Sequence, residues 1–156
     1  MARLGFVTAM VATLLIATIG LSVYYQLNTQ EANPRNAVVR EALRVCTRDP
    51  GSSRYSMLTQ WGTIFILSNS VIGNVTLPDE VGGLKLTVFS QAEIDAKAAA
   101  VGPFLYLVFD EVSVYEDTAF VSFHATGVFD SGAGWRVSLT RRDGVWVGEG
   151  GMFWIA

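Results

Sequence analysis

The sequence WRVSLTRRDGVWVGEG, residues 135–150, has the pattern of a β-hairpin and organises the C-terminal part of the fold. Apolar and polar residues alternate on both sides of Asp143-Gly144, a dipeptide that favours a two-residue turn. The expected cross-strand pairs are Arg141 with Trp146, Leu139 with Gly148 and Val137 with Gly150. Because strand side chains alternate between faces, Trp135 and Trp146 are expected on the same, buried face.

A second hairpin is expected before it, with strands over Phe104–Tyr115 and Thr118–Phe129 joined by a two-residue turn. An unbroken ladder pairs Val114 with Ala119, Val112 with Val121, Asp110 with Phe123 and Tyr106 with Gly127. In this register Asp110 lies on the apolar face and His124 on the opposite face. The two residues would make an acid–base pair, but this register keeps them apart. A slip of one residue would reverse that expectation.

The rest of the chain adds helices and further strands. Asn33-Pro34 is typical of a helix start, and the following residues to Arg48 form an amphipathic pattern. Ser90-Gln91-Ala92-Glu93 is a capping box for a second helix that ends at Val101. Strands are expected at Trp61–Leu67 and Leu84–Phe89. The predicted fold class is α+β: an N-terminal transmembrane helix, then helices packed on one face of a curved antiparallel sheet.

The N-terminal stretch determines the predicted localisation. No charged residue occurs from Leu4 to Tyr25, a run long enough as a helix to cross a hydrocarbon core of about 30 Å. It has no clean cleavage site, so an uncleaved anchor is expected. The predicted division is an anchor over residues 1–27, a spacer over 28–33 and a single α+β domain over 34–156. This predicts a single-pass membrane protein that contacts the lipid bilayer through Leu4–Tyr25, with its domain on the extracytoplasmic side.

Composition argues against several classes of function. The net charge is −3 and acidic residues dominate after Asp79, whereas nucleic-acid binding requires a basic face. The single cysteine, Cys46, excludes an internal disulfide and is expected to be buried and unreactive on the apolar side of its helix. The single histidine, His124, has no neighbouring ligand at metal-binding spacing, so no metal site is expected. The chain contains no phosphate-binding loop, serine-nucleophile motif or zinc-protease motif, and no cofactor is expected.

Three residues are candidates for a site. A carboxylate held on an apolar face can act as a general base, which makes Asp110 the first catalytic candidate. Tyr106 is the second, because its hydroxyl can donate to a ligand or an anion. Together with Trp135 they are the candidate ligand-binding residues of an apolar pocket. The structural alternatives are that Asp110 accepts backbone hydrogen bonds at the sheet margin and that Tyr106 is a core ring.

Three segments carry a resemblance to known proteins. Leu84-Lys85-Leu86, Phe104-Leu105-Tyr106-Leu107 and Gly144-Val145-Trp146-Val147-Gly148 resemble uncharacterised membrane-anchored bacterial proteins of unknown function, a resemblance that implies no activity. The layout of helix followed by sheet looks like the nuclear-transport-factor-2-like (cystatin-like) fold. In enzymes of that fold a carboxylate inside the cone often acts as a base, a role that the resemblance would assign to Asp110.

Gly5-Phe6 followed by an apolar run is similar to type IV pilin-like subunits. Met10 stands where those proteins usually have a glutamate, and Pro34 would break the long helix that they need.

These observations support one leading hypothesis and two alternatives. The leading hypothesis is a membrane-anchored, non-enzymatic module that binds a protein partner or an envelope component. The first alternative is a nuclear-transport-factor-2-like small-ligand binder or acid–base enzyme that uses Asp110 and Tyr106 in an apolar pocket. The second is a pilin-like structural subunit. A pocket lined by Tyr106, Asp110 and Trp135 would favour the first alternative, whereas a filled core would favour the leading hypothesis.

Overall fold

The computed structural model of the chain describes residues 33–48, 62–127 and 132–155, which form two helices and seven strands. In chain order the elements are α1 (Pro34–Thr47), β1 (Thr63–Leu67), β2 (Glu80–Val81), β3 (Leu84–Phe89), α2 (Gln91–Val101), β4 (Tyr106–Tyr115), β5 (Thr118–Thr126), β6 (Gly132–Arg142) and β7 (Val145–Ile155). Both expected hairpins are present, and they supply the four longest strands, β4 to β7.

The strands form one mixed sheet in the order β2-β3-β1-β4-β5-β6-β7. β1 pairs in parallel with β3 on one side and with β4 on the other, whereas all other neighbours are antiparallel. The prediction of an antiparallel sheet is therefore wrong. The physical reason is that α2 connects β3 to β4 as a crossover, which returns the chain to the sheet in the same direction. The pattern of residues locates the strands but does not reveal that β1 lies between β3 and β4.

The two helices lie on opposite faces of this sheet. Leu43 of α1 packs with Ile66 in the main core, whereas Ile94 of α2 packs with Phe65 in a second, smaller core. Neighbouring strand residues point to opposite faces, so Phe65 and Ile66 belong to different faces. The expectation that the helices share one face is wrong because β1 is apolar on both faces and each face requires a cover. We call the face covered by α1 the inner face and the opposite face the outer face.

The prediction of a membrane-spanning helix is also corrected. In the described part of the chain, no helix is both long and apolar enough to cross a membrane. α1 has 14 residues and α2 has 11, against the roughly 20 that a span requires. The run Leu4–Tyr25, the predicted anchor over residues 1–27 and the spacer over 28–33 lie outside the described residues. We therefore withdraw the membrane anchor and the single-pass, extracytoplasmic localisation. The predicted contact of Leu4–Tyr25 with a lipid bilayer is not tested and stays a prediction.

The predicted register of the β6–β7 hairpin is confirmed. Arg141 lies opposite Trp146, Leu139 opposite Gly148 and Val137 opposite Gly150. Asp143 and Gly144 both have positive φ angles, 52° and 79°, as a tight turn that matches the twist of its strands requires. Trp135 and Trp146 are both buried in the main core, so the predicted buried face is also correct.

Side-chain hydrogen bonds secure the helices and the loop after β1. The predicted capping box is confirmed, because the Glu93 carboxylate accepts from the Ser90 N–H at 2.7 Å and the Ser90 hydroxyl accepts from the Glu93 N–H. On α1, the buried Asn36 side chain accepts from the Thr76 N–H at 2.9 Å, and Arg35 donates to the Val71 carbonyl. These bonds hold the loop between β1 and β2 against α1.

Candidate functional site

A β-bulge interrupts the pairing of β4 with β5. Phe109 lies opposite Phe123, but Glu111 lies opposite Ser122, so Asp110 is an extra residue without a partner in the ladder. Phe109 and Val112 both belong to the main core on the inner face. The bulge therefore turns both intervening residues toward the outer face, which an unbroken alternation would not allow.

The bulge brings Asp110 and His124 together. Nδ1 of His124 lies 2.9 Å from Oδ1 of Asp110 and 3.0 Å from Oδ2. Both side chains face the outer side of the sheet, where that of Asp110 is 41% exposed and that of His124 is 28% exposed. The predictions that Asp110 lies on the apolar face and that the two residues stay apart are wrong. They assumed the pairing of Asp110 with Phe123, whereas the bulge shifts the register by one residue.

Asn69 supports the bulge from the loop after β1. Its side-chain N–H donates to the Phe109 carbonyl at 2.8 Å, and its side-chain oxygen accepts from the N–H groups of Val71 and Ile72. The residue thus satisfies a carbonyl beside the bulge and orders its own loop. Sequence reasoning missed Asn69, because an asparagine after a strand indicates only a local turn and the contact spans 40 residues.

Trp135 and Tyr106 lie on different faces and do not join Asp110 in one pocket. The Trp135 ring is buried on the inner face and stacks on Phe123, with their centroids 5.5 Å apart. Tyr106 packs against the second core beside Phe104, with the ring centroids 6.0 Å apart. Because Trp135 lies on the inner face and Tyr106 and Asp110 lie on the outer face, the three residues cannot line one pocket as predicted.

β7 forms one edge of the described sheet. It carries two exposed valines and three glycines. Val145 and Val147 on the outer face are 63% and 41% exposed. A Cβ added at Gly148 would meet the Val45 side chain of α1 at 2.9 Å, and one at Gly150 would meet the Arg136 carbonyl at 2.5 Å. These two glycines permit close approach of α1 and β6, whereas a Cβ at the third, Gly151, would have no atom of the described structure within 4 Å.

The remaining ionisable groups in the described part of the chain show no metal-binding arrangement. Among the described residues, no three His, Cys, Asp or Glu side chains are grouped so that they could hold a metal ion. Burial raises the pKa of the Cys46 thiol to about 12, so it is protonated and a poor nucleophile at neutral pH. Cys46 packs against the main core but is only half-buried, so the expectation of a fully buried cysteine is met in part.

Comparison with known proteins found no matching family model, no matching curated protein and no matching solved structure. The resemblances to bacterial proteins of unknown function, to the nuclear-transport-factor-2-like fold and to pilin-like subunits thus stay predictions. Function has to be argued from the geometry of the sheet and of its side chains.

Proposed function

We propose that this chain is a binding module that recognises an extended segment of a protein partner along the outer edge of β7. The observation that carries the proposal is that β7 is a long strand at the edge of the described sheet and carries exposed valines. The separation of the candidate ligand-binding residues supports it further, because Trp135 lies in the main core on the inner face whereas Asp110 lies on the outer face.

The two edges of the sheet differ in their protection against pairing. At one edge β2 has only 2 residues, and such a short strand offers little backbone to a partner. At the other edge β7 has 11 residues, and in the described part of the chain β6 is the only strand paired with it. β7 contains no proline or lysine, with which many proteins protect an edge. β7 is therefore the edge to which a further strand can be added.

The hairpin turn determines which backbone groups of β7 face outward. The two residues that flank a two-residue turn bond to each other through their backbone N–H and C=O groups. Along the ladder, such pairs alternate with pairs whose N–H and C=O groups point away from the partner strand. Arg142 and Val145 flank this turn, so the N–H and C=O groups of Trp146, Gly148 and Gly150 point away from β6. Two of these three residues lack a side chain, which leaves their backbone accessible to a second strand.

The outer-face side chains of β7 indicate the chemistry of the partner segment. An added strand runs about 5 Å from β7 and places its side chains beside those of Val145, Val147 and Glu149. Apolar or β-branched side chains suit the two exposed valines. Glu149 is exposed, and none of the described residues forms an ion pair with it, so a lysine or arginine of the partner suits that position.

Selection of random peptides displayed on phage against the full chain tests the proposal. We expect the selected peptides to alternate apolar residues and to carry one basic residue that aligns with Glu149. Bound peptide should slow amide hydrogen exchange at Gly148 and Gly150, whose N–H groups face outward. Glu149→Lys replaces a favourable cross-strand pair by a repulsive one, a change of about 1–2 kcal/mol or a loss of roughly five- to thirtyfold in affinity.

Glu80→Lys on β2 is the matched control, because it makes the same charge change at the opposite edge of the sheet. Peptides selected on the wild type should bind this variant with unchanged affinity. Equal losses for both variants, or exchange protection that avoids β7, would show that the binding site lies elsewhere and would refute the proposal.

A further inference from the structure

The pair formed by Asp110 and His124 lies on β4 and β5, away from the β7 edge. Both carboxylate oxygens of Asp110 lie within hydrogen-bond distance of Nδ1, at 2.9 and 3.0 Å. An ionised carboxylate can only accept hydrogen bonds, so Nδ1 must carry the proton that is shared with Asp110. In the neutral ring the other nitrogen, Nε2, then has a free lone pair.

Nε2 is the ring nitrogen that Asp110 leaves unbound. No described residue forms a hydrogen bond with it, and the His124 side chain is 28% exposed on the outer face. On β6 the residue opposite His124 is Gly134, so no side chain projects from that position beside the ring. An imidazole oriented by a carboxylate at one nitrogen and open at the other has the arrangement of a general base.

The bulge gives this arrangement a fixed geometry. Asp110 reaches His124 only because it is the extra residue between Phe109 and Glu111. The Phe109 carbonyl is bound by Asn69, whose side chain also makes two bonds to its own loop. Bulges often re-aim a side chain next to a functional site, and this bulge aims a carboxylate at the chain's single histidine.

We propose that Asp110 and His124 form a proton-accepting site for a small ligand that offers a hydroxyl group or a bound water molecule. The proton passes from the ligand oxygen to Nε2, and the oxygen keeps the electron pair of the broken O–H bond and becomes a nucleophile. The ring becomes an imidazolium, whose positive charge the Asp110 carboxylate stabilises. His124 is the catalytic residue and Asp110 is its positioning residue.

Nitrogen-15 NMR of the full chain labelled at histidine tests the first step directly. With one histidine in the sequence, a single pair of ring nitrogens is observed. At a pH where the ring is neutral, we expect the proton on Nδ1 in the wild type. Asp110→Asn removes the carboxylate and should move the proton largely to Nε2. A wild-type ring with its proton on Nε2 overturns the proposal without any variant.

Reaction with diethyl pyrocarbonate tests the reactivity of Nε2. Its lone pair attacks a carbonyl carbon of the reagent, the bond to the ethyl carbonate leaving group breaks, and mass spectrometry follows the added carbethoxyl group. We expect Asp110→Asn to slow this reaction about tenfold, the lower end of the loss seen when a metal-binding histidine loses the carboxylate that orients it.

Glu111→Gln is the matched control for both measurements. It removes one negative charge from the same face at the next residue, but Glu111 bonds to Ser113 and not to His124. This variant should keep the wild-type tautomer and the wild-type reaction rate. Equal effects of Asp110→Asn and Glu111→Gln would mean that net charge, and not the hydrogen bond, sets the reactivity, and would overturn the proposal.

Discussion

Gly150 and Gly151 are adjacent on β7, and we expect alanine to have opposite effects at these two positions. An added Cβ at Gly150 would lie 2.5 Å from the Arg136 carbonyl oxygen and 2.9 Å from the Val137 Cα. Both are backbone atoms of β6, so the contact cannot be relieved by rotation of a side chain. At Gly151 the added Cβ would meet no described atom within 4 Å, and its φ angle is not positive.

The expected magnitude follows from two terms. Overpacking of this kind costs about 1–3 kcal/mol. Replacement of glycine by alanine also lowers the entropy of the unfolded chain, which stabilises the folded state by about 0.4–1 kcal/mol at a compatible position. The entropic term is the same for both variants and cancels in their difference. Gly151→Ala should therefore be more stable than Gly150→Ala by about 1–3 kcal/mol, and slightly more stable than the wild type.

Urea unfolding of the full chain, followed by tryptophan fluorescence, measures this difference. The comparison requires equal m values, which show that the variants expose similar surface on unfolding. Equal free energies of unfolding for the two variants would refute the argument that the backbone of β6 leaves no room for a Cβ at Gly150. A destabilised Gly151→Ala would refute the argument that this glycine is not required by internal packing.

Two further predictions concern other parts of the described structure. Asn69→Ala leaves the Phe109 carbonyl without its donor and should lower the free energy of unfolding by about 1–3 kcal/mol. Urea titration measures this change, with the exposed neighbour Ser70→Ala as the control, and an unchanged stability would contradict the role of Asn69 at the bulge. Burial raises the pKa of Cys46 from 9.0 in the unfolded chain to about 12. The unfolded chain therefore loses the thiol proton first as the pH rises. The contribution of the protonated thiol to the free energy of unfolding is present below pH 9 and is lost as the pH rises toward 12. Cys46→Ala should weaken this alkaline loss, and native Cys46 should react with a thiol reagent far more slowly than the urea-unfolded chain.

Local interactions made part of this fold predictable from the residues alone. The Asp143-Gly144 turn and the alternation around it specify the register of β6 and β7, because the turn type leaves one pairing that buries Trp135 and Trp146. The capping box at Ser90 is likewise a contact between residues three apart. In both cases the atoms that decide the structure are close in the sequence, so their pattern is sufficient.

The tertiary structure decided the features that depend on distant segments. The position of β1 between β3 and β4 makes the sheet mixed, and no local pattern reports which strands become neighbours. Beside the bulge at Asp110, the Phe109 carbonyl accepts a hydrogen bond from Asn69, which lies 40 residues before Phe109 in the chain. The alternation of apolar and polar residues in β4 gives no sign of this bulge. One extra residue in a ladder moves a side chain to the other face. For this reason the sequence determined which residues could act as acid and base, while only the tertiary structure brought Asp110 and His124 into contact.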